Sequence, residues 1–104
     1  MVTMPREKLE LGKMEIGKAV SMKDCILTDG NGNFGHYFVI GNENVSLFVS
    51  EGLDLYDRLK EREKSLDGKT FDFTVKPRLE HGRRFYDVDV KILKPYAGSS
   101  LKVE

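Results

Sequence analysis

Basic side chains concentrate around one predicted turn in the second half of the chain, at residues 79–84. The five bases are Lys76, Arg78, Arg83, Arg84 and Lys91. A guanidinium group stays protonated, donates two parallel hydrogen bonds to a phosphate and stacks well on an unpaired base. Three arginines near one hairpin tip therefore predict a phosphate-binding site.

An ion-pair network is the alternative for the same region. Three acids lie around the turn: Glu80, Asp87 and Asp89. If they pair with the bases across the hairpin, the arginines are solvated surface charges that contribute little to stability and bind no ligand. The sequence leaves both interpretations open.

Aromatic rings that face solvent would complete a nucleic-acid site, because a base stacked on a ring gains about 1 to 3 kcal/mol with little sequence preference. One face of the second predicted strand, which we expect in the core, carries Phe34, His36, Phe38 and Ile40. Tyr37 then points outward, as does Phe48 on the third strand, and Phe85 falls on the polar face of the last strand. A register shift of one residue would reverse these faces and make the same rings core residues.

Residues typical of enzymes do not form a recognisable catalytic or metal-binding motif. His36 and His81 lack paired cysteines and suitably spaced carboxylates, so zinc is not predicted. Cys25 lies in an apolar run and is expected to be a buried small hydrophobe rather than a nucleophile. The Gly- and Asn-rich stretch at 29–33 lacks the later bidentate Glu of a calcium loop. The sequence therefore predicts a protein that is not an enzyme and needs no cofactor.

Composition restricts the class of protein further. The chain has 104 residues, of which 39% are hydrophobic and 33% charged, and this suits one globular domain. The net charge is zero, yet residues 24–50 carry no base, whereas residues 76–94 carry six bases and three acids. No run of about 18 apolar residues occurs, so we expect no membrane span and a cytoplasmic location.

Alternation of apolar residues and the turn signals predict five strands and one helix. The strands cover residues 14–28, 34–40, 45–49, 70–79 and 84–92, and the helix covers residues 53–65. The apolar parity changes between Met22 and Cys25, which predicts a β-bulge in a long, bent first strand. Residues 29–33 predict a tight turn, because Gly and Asn tolerate a positive φ.

The order strand, strand, strand, helix, strand, strand resembles the OB-fold, a five-stranded Greek-key barrel that binds oligonucleotides or oligosaccharides. The stretch from Leu66 to Phe71 looks like the junction between the helix and the fourth strand of such barrels. The resemblance implies an OB-fold domain at 13–96, between a flexible arm at 1–12 and a short tail at 97–104. It also implies that the turns at 29–33 and 79–84 flank the binding cleft.

Among OB-folds, the chain is similar to the small single-stranded DNA-binding proteins of phages and mobile elements. The resemblance implies sequence-independent, non-catalytic binding of single-stranded DNA, or alternatively RNA, in support of replication or recombination. The expected site residues are Tyr37, Phe48, Lys76, Arg78, Arg83, Arg84, Phe85 and Lys91. A homodimer and a replication-protein partner are both compatible with this reading. The rival hypothesis is a protein-interaction module or a subunit of a larger complex.

Overall fold

The computed structural model describes residues 7–33 and 35–95. A six-stranded sheet curls into a half-barrel, and one helix packs against its inner side. The strands are β1 (Glu7–Leu9), β2 (Val20–Gly32), β3 (Gly35–Gly41), β4 (Val45–Ser50), β5 (Lys69–Glu80) and β6 (Arg83–Pro95). The helix α1 covers Asp54–Leu66, and a short 3₁₀ helix covers Leu11–Lys13. The order across the sheet is β1-β4-β3-β2-β5-β6.

The central strand β2 belongs to both halves of the sheet. Its first part pairs with β5, from Val20 opposite Val75 to Cys25 opposite Phe71, and its second part pairs with β3. The register shifts between Met22 and Cys25, which confirms the predicted bulge. Asp24 takes a φ of 54° there, a left-handed conformation that a bulge can impose. The bulge bends β2, so one strand can serve two differently oriented half-sheets.

The core fills the concave side of the sheet. Alternate residues of β2 to β6 face inward, and α1 contributes an apolar stripe with helical spacing. The fully buried members include Cys25, Phe38, Ile40, Leu47, Val49, Leu55, Leu59, Phe71, Phe73 and Val75. Within the described residues, no hydrogen-bonded pair of strands joins β6 to β1 or β4, so the sheet stays open on this side.

The hairpin between β5 and β6 matches its prediction closely. Glu80 pairs with Arg83, and the two residues between them have positive φ, 52° at His81 and 76° at Gly82. Two positive φ values in a two-residue loop define a type I′ turn, which follows the right-handed twist of the strands. Pro77 lies beyond the part of β5 that pairs with β2, as its missing amide hydrogen requires.

The N-terminal part of the domain differs from the prediction. The first long strand begins at Val20 rather than at residue 14, because a turn with Gly17 at φ 86° interrupts the extended run. Part of the predicted flexible arm is instead folded: β1 pairs in parallel with β4, and Leu11 is buried. The predicted five-strand order therefore lacks β1. One apolar residue in a three-residue strand is too weak a pattern to find it.

Two smaller differences concern the ends of elements. β2 continues to Gly32, which pairs with Gly35, so most of the predicted turn at 29–33 is strand. The helix begins and ends one residue later than predicted. The expected core position of Phe34, the first six residues of the predicted arm and the predicted tail at 97–104 lie outside the described residues.

Candidate nucleic-acid interface

The outer side of β2, β3 and β4 carries rings and small residues but almost no charge. We call this surface the aromatic face; its members are Ile26, Thr28, Gly30, Tyr37, Val39, Phe48 and Ser50. Strand register assembles it, because Val39 lies between Thr28 on one side and Phe48 on the other. On β3 and β4 the side chains that alternate with these residues point into the core, among them Phe38, Ile40, Leu47 and Val49, as the period of a strand requires.

Tyr37 and Phe48 lie side by side on the aromatic face. Their ring centroids are 4.6 Å apart with the planes tilted by 32°, and Phe48 is 54% exposed. A shallow cleft of about 320 Å³ opens beside them and is also lined by His36 and Ser50. The large ring of Phe48 is thus exposed on a strand, at a cost in hydrophobic free energy.

Gly30 makes room for the Tyr37 ring from the neighbouring strand. The two residues are opposite each other, and a Cβ atom at position 30 would lie 2.5 Å from Tyr37 Oη and 2.7 Å from Cζ. The sequence predicted a turn from this glycine, whereas its role in the structure is to let a ring lie flat across β2. A glycine opposite an aromatic residue is a recognisable sequence signal once the register is known.

A chain of hydrogen bonds fixes the strand beneath the cleft. His36 Nε2 is 2.7 Å from an Asp29 carboxylate oxygen, and His36 Nδ1 is 2.6 Å from Tyr56 Oη on α1. A neutral imidazole satisfies both contacts when Nε2–H donates to Asp29 and Nδ1 accepts from the tyrosine hydroxyl. The sequence did not predict this contact, because nothing in the spacing links a helix residue to these two strands.

The outer side of β5 and β6 is different in character. We call it the charged face; its members near the turn are Lys76, Arg78, Glu80, Arg83, Phe85 and Asp87, and Asp89 and Lys91 follow along β6. Arg78 Nε donates to Asp87 at 3.0 Å, and Arg78 also pairs with Glu80. The hydrogen bond to Asp87 raises the pKa of the Arg78 guanidinium. Arg78 therefore matches the ion-pair alternative.

Phe85 is covered by arginines rather than open to a base. The guanidinium carbon of Arg78 lies 5.2 Å from the ring centroid, and that of Arg83 lies 5.9 Å from it. Both distances fit cation–π contacts. A base could stack on Phe85 only after displacing one of these side chains.

Three bases of the charged face are exposed and lack an ion pair with any described residue. They are Lys76, Arg83 and Lys91. A phosphate can therefore approach them without breaking an ion pair, although Arg83 also lies over the Phe85 ring. This is the part of the charged face that matches the phosphate-binding interpretation.

Arg84 lies on the opposite face of β6 from Arg83 and does not join the other two arginines. Its terminal nitrogen donates to the carbonyl oxygens of Leu11 at 3.1 Å and Met14 at 2.8 Å, and its Nε lies 3.3 Å from Tyr86 Oη. Arg84 thus ties the N-terminal segment to β6. The sequence held a signal for this placement, because Arg84 has the same strand parity as the buried Tyr86.

The first turn of α1 connects the two sides of the half-barrel. Asp54 Oδ2 accepts the Tyr86 backbone N–H at 3.0 Å, and Tyr56 binds His36 on β3. A carboxylate in the first helical turn is also favourable to the helix dipole. The helix N-terminus therefore holds β6 and β3 in fixed positions relative to each other.

The single cysteine of the chain lies in the core. Cys25 is fully buried, as predicted, and burial together with the carboxylates of Asp72 and Asp24 raises the pKa of its thiol to about 11. Such a thiol stays protonated and is a poor nucleophile. The described residues contain no group of three or more His, Cys, Asp or Glu side chains arranged to hold a metal ion. No helix in the same residues is long and apolar enough to cross a membrane.

Comparisons of the chain with protein-family models, with curated proteins and with solved structures found no match. Its function is therefore inferred from the two faces alone.

Proposed function

We propose that the protein binds single-stranded DNA on the aromatic face, without catalysis and with little sequence preference. In this proposal the half-barrel is an OB-fold variant. The chain order of β2 to β6, with α1 between β4 and β5, supports this assignment, and β1 would be an addition to the fold. A binder of this kind covers exposed single strands during replication or recombination.

The pairing of the half-buried Tyr37 with the exposed Phe48 is the observation that carries the proposal. Every base has a flat π-surface, so stacking on two adjacent rings binds a single strand of any sequence. The surrounding Gly30, Thr28 and Ser50 are small and leave the rings accessible from above. The hydrogen-bonded His36 holds β3 below, so the rings are presented on a rigid strand.

The bases of the charged face that form no ion pair would add an electrostatic contribution to nucleic-acid binding. Arg83 and Lys76 are exposed and have no described acidic partner, so a phosphate near them releases counterions from the nucleic acid. Arg78 contributes less, because it is already paired, and Arg84 is not part of the proposed interface. Binding should therefore weaken as salt rises, with a shallow slope.

Fluorescence anisotropy with a labelled oligothymidine tests the proposal. We expect binding at low salt that weakens at moderate salt, and Phe48→Ala should reduce the affinity at least about fivefold through lost stacking. Leu79→Ala is the matched control, because Leu79 is 57% exposed but lies at the β5–β6 turn. The control should bind like the wild type.

Two results would contradict the proposal. One is no binding of the wild type at micromolar concentration in low salt, and the other is an equal loss for Phe48→Ala and Leu79→Ala. A parallel titration with labelled oligouridine decides between DNA and RNA. Tighter binding of the oligouridine would mean that the ligand is RNA, bound at the same proposed site.

A protein-interaction module is the second candidate function. The observation in its favour is that Leu79, Ile92 and Leu93 are exposed on the β5–β6 hairpin, away from the rings. Charge reversal with Arg83→Glu separates the two functions. It should reduce oligonucleotide binding if the first proposal holds, whereas a protein-interaction module shows no oligonucleotide binding to reduce.

A further inference from the structure

β6 has an open backbone edge. The N–H of Tyr86 donates to Asp54 rather than to β5, so Tyr86 directs its backbone polar groups away from the sheet. The backbone N–H and C=O groups of every second residue of a strand point to the same side. Val88 and Val90 therefore direct their backbone groups to the same open side as Tyr86. No other described strand pairs with β6 on that side. An unpaired edge of this length is a template for another strand.

The side chains along this edge are only partly covered. Ile92 is 45% exposed and Leu93 is 42% exposed, while Val88 and Val90 are half-buried. Asp89 and Lys91 are exposed on the outer side, and neither forms an ion pair with a described residue. A monomer thus leaves both aliphatic surface and two opposite charges without partners at one edge.

We propose that two copies of this chain pair through β6, antiparallel and centred on Val90. In this register Val90 lies opposite Val90 of the second copy. Val88 of each copy lies opposite Ile92 of the other, and Asp89 lies opposite Lys91. Val90 and Val88 direct their backbone groups outward, so these positions form the hydrogen-bonded pairs. Asp89 and Lys91 then fall at the other kind of pair, in which the side chains approach most closely.

The charges of Asp89 and Lys91 favour this register, and they favour a second copy of the chain as the partner of β6. Centring the pair on Asp89 would place two carboxylates directly opposite each other, which is destabilising. Centring it on Val90 places two identical Asp89–Lys91 pairs across the two-fold axis. The strand is therefore complementary to itself, the property that a symmetric dimer interface requires.

Sedimentation equilibrium without nucleic acid tests the dimer independently of the proposed function. The wild type should sediment at about 24 kDa, twice the 11.9 kDa of one chain. Asp89→Lys and Lys91→Asp should each weaken dimerisation about tenfold, because each places like charges opposite each other twice. Glu43→Lys has the same charge change as Asp89→Lys but lies at an exposed turn far along the chain from β6, and this control should dimerise like the wild type.

Mixing the two single variants is the decisive measurement. A chain with lysine at positions 89 and 91 complements a chain with aspartate at both, so the equimolar mixture should regain the wild-type mass. Circular dichroism of each variant establishes that it is folded. A monomeric wild type would overturn the proposal. So would a dimer that neither single variant weakens, or a mixture that stays as dissociated as its components.

Discussion

The two outer surfaces of this half-barrel use their side chains in opposite ways. On the aromatic face, Phe48 keeps more than half of its surface exposed beside Tyr37. On the charged face, Phe85 is covered by guanidinium groups, and Arg78 is bound to Asp87. Residue types that suggest binding are present on both surfaces. The two surfaces therefore differ less in residue types than in which side chains already have partners, and this is why we place the proposed binding site on the aromatic face.

The largest effect that we expect is a difference in the free energy of unfolding between variants of two neighbouring arginines. Arg84→Ala should lower the free energy of unfolding by about 2 to 3 kcal/mol, because it removes charge-assisted hydrogen bonds to two backbone carbonyls. Arg83→Ala should change it by no more than about 0.5 kcal/mol, as is usual for an exposed side chain. Urea denaturation measures both values. Equal losses for the two variants would mean that Arg84 does not anchor the N-terminal segment.

A glycine on the aromatic face gives the next effect, on binding rather than stability. Gly30→Ala would push the Tyr37 ring out of its position and should weaken oligothymidine binding about fivefold. The ring is the far end of a flexible side chain, so we expect little change in thermal stability. Gly32→Ala is the matched control, since a Cβ atom there would meet Tyr37 at 3.7 Å, an ordinary contact.

Unchanged binding by Gly30→Ala would show that the Tyr37 ring is not part of the stacking surface. A loss of binding with an equal loss of stability would mean instead that the substitution unfolds the hairpin.

The smallest effect compares two arginines within the charged face. Arg83→Ala should weaken binding at low salt about two- to threefold and make the salt dependence shallower, because a free charge is lost. Arg78→Ala should have less effect, because that guanidinium is already held by Asp87 and Glu80. Anisotropy titrations at several salt concentrations measure both. A larger effect for Arg78 would reverse the distinction that the ion pairs suggest.

Sequence alternation predicted several features that depend on residues close together in the chain. The change of parity at Met22 and Cys25 predicted the bulge, and the outward positions of Tyr37 and Phe48 followed from the apolar residues beside them. The turn at 79–84 was predicted as well, and Gly82 takes a positive φ there. Each of these features depends on residues close together in the chain, so the sequence carries its full signal.

Contacts between distant segments could not be predicted in the same way. β1 forms because β4 has a free edge with which it can pair. A segment of three residues with one leucine gives no sequence pattern from which this pairing could be predicted. The hydrogen bonds from Asp29 through His36 to Tyr56 require a helix to approach two strands at one point. Arg84 was grouped with its neighbours because they are close in sequence, whereas strand alternation places it on the other face.

The double membership of β2 has a consequence for the order of folding. β2 pairs with β3 through a short connection, but with β5 only after the whole of β4 and α1. Local pairings form faster than distant ones, because less chain entropy is lost in closing them. We therefore expect the meander of β2, β3 and β4 to assemble first. Met22 and Cys25 then remain uncovered until Phe71 and Phe73 arrive, and this interval is when the folding chain is most exposed to aggregation.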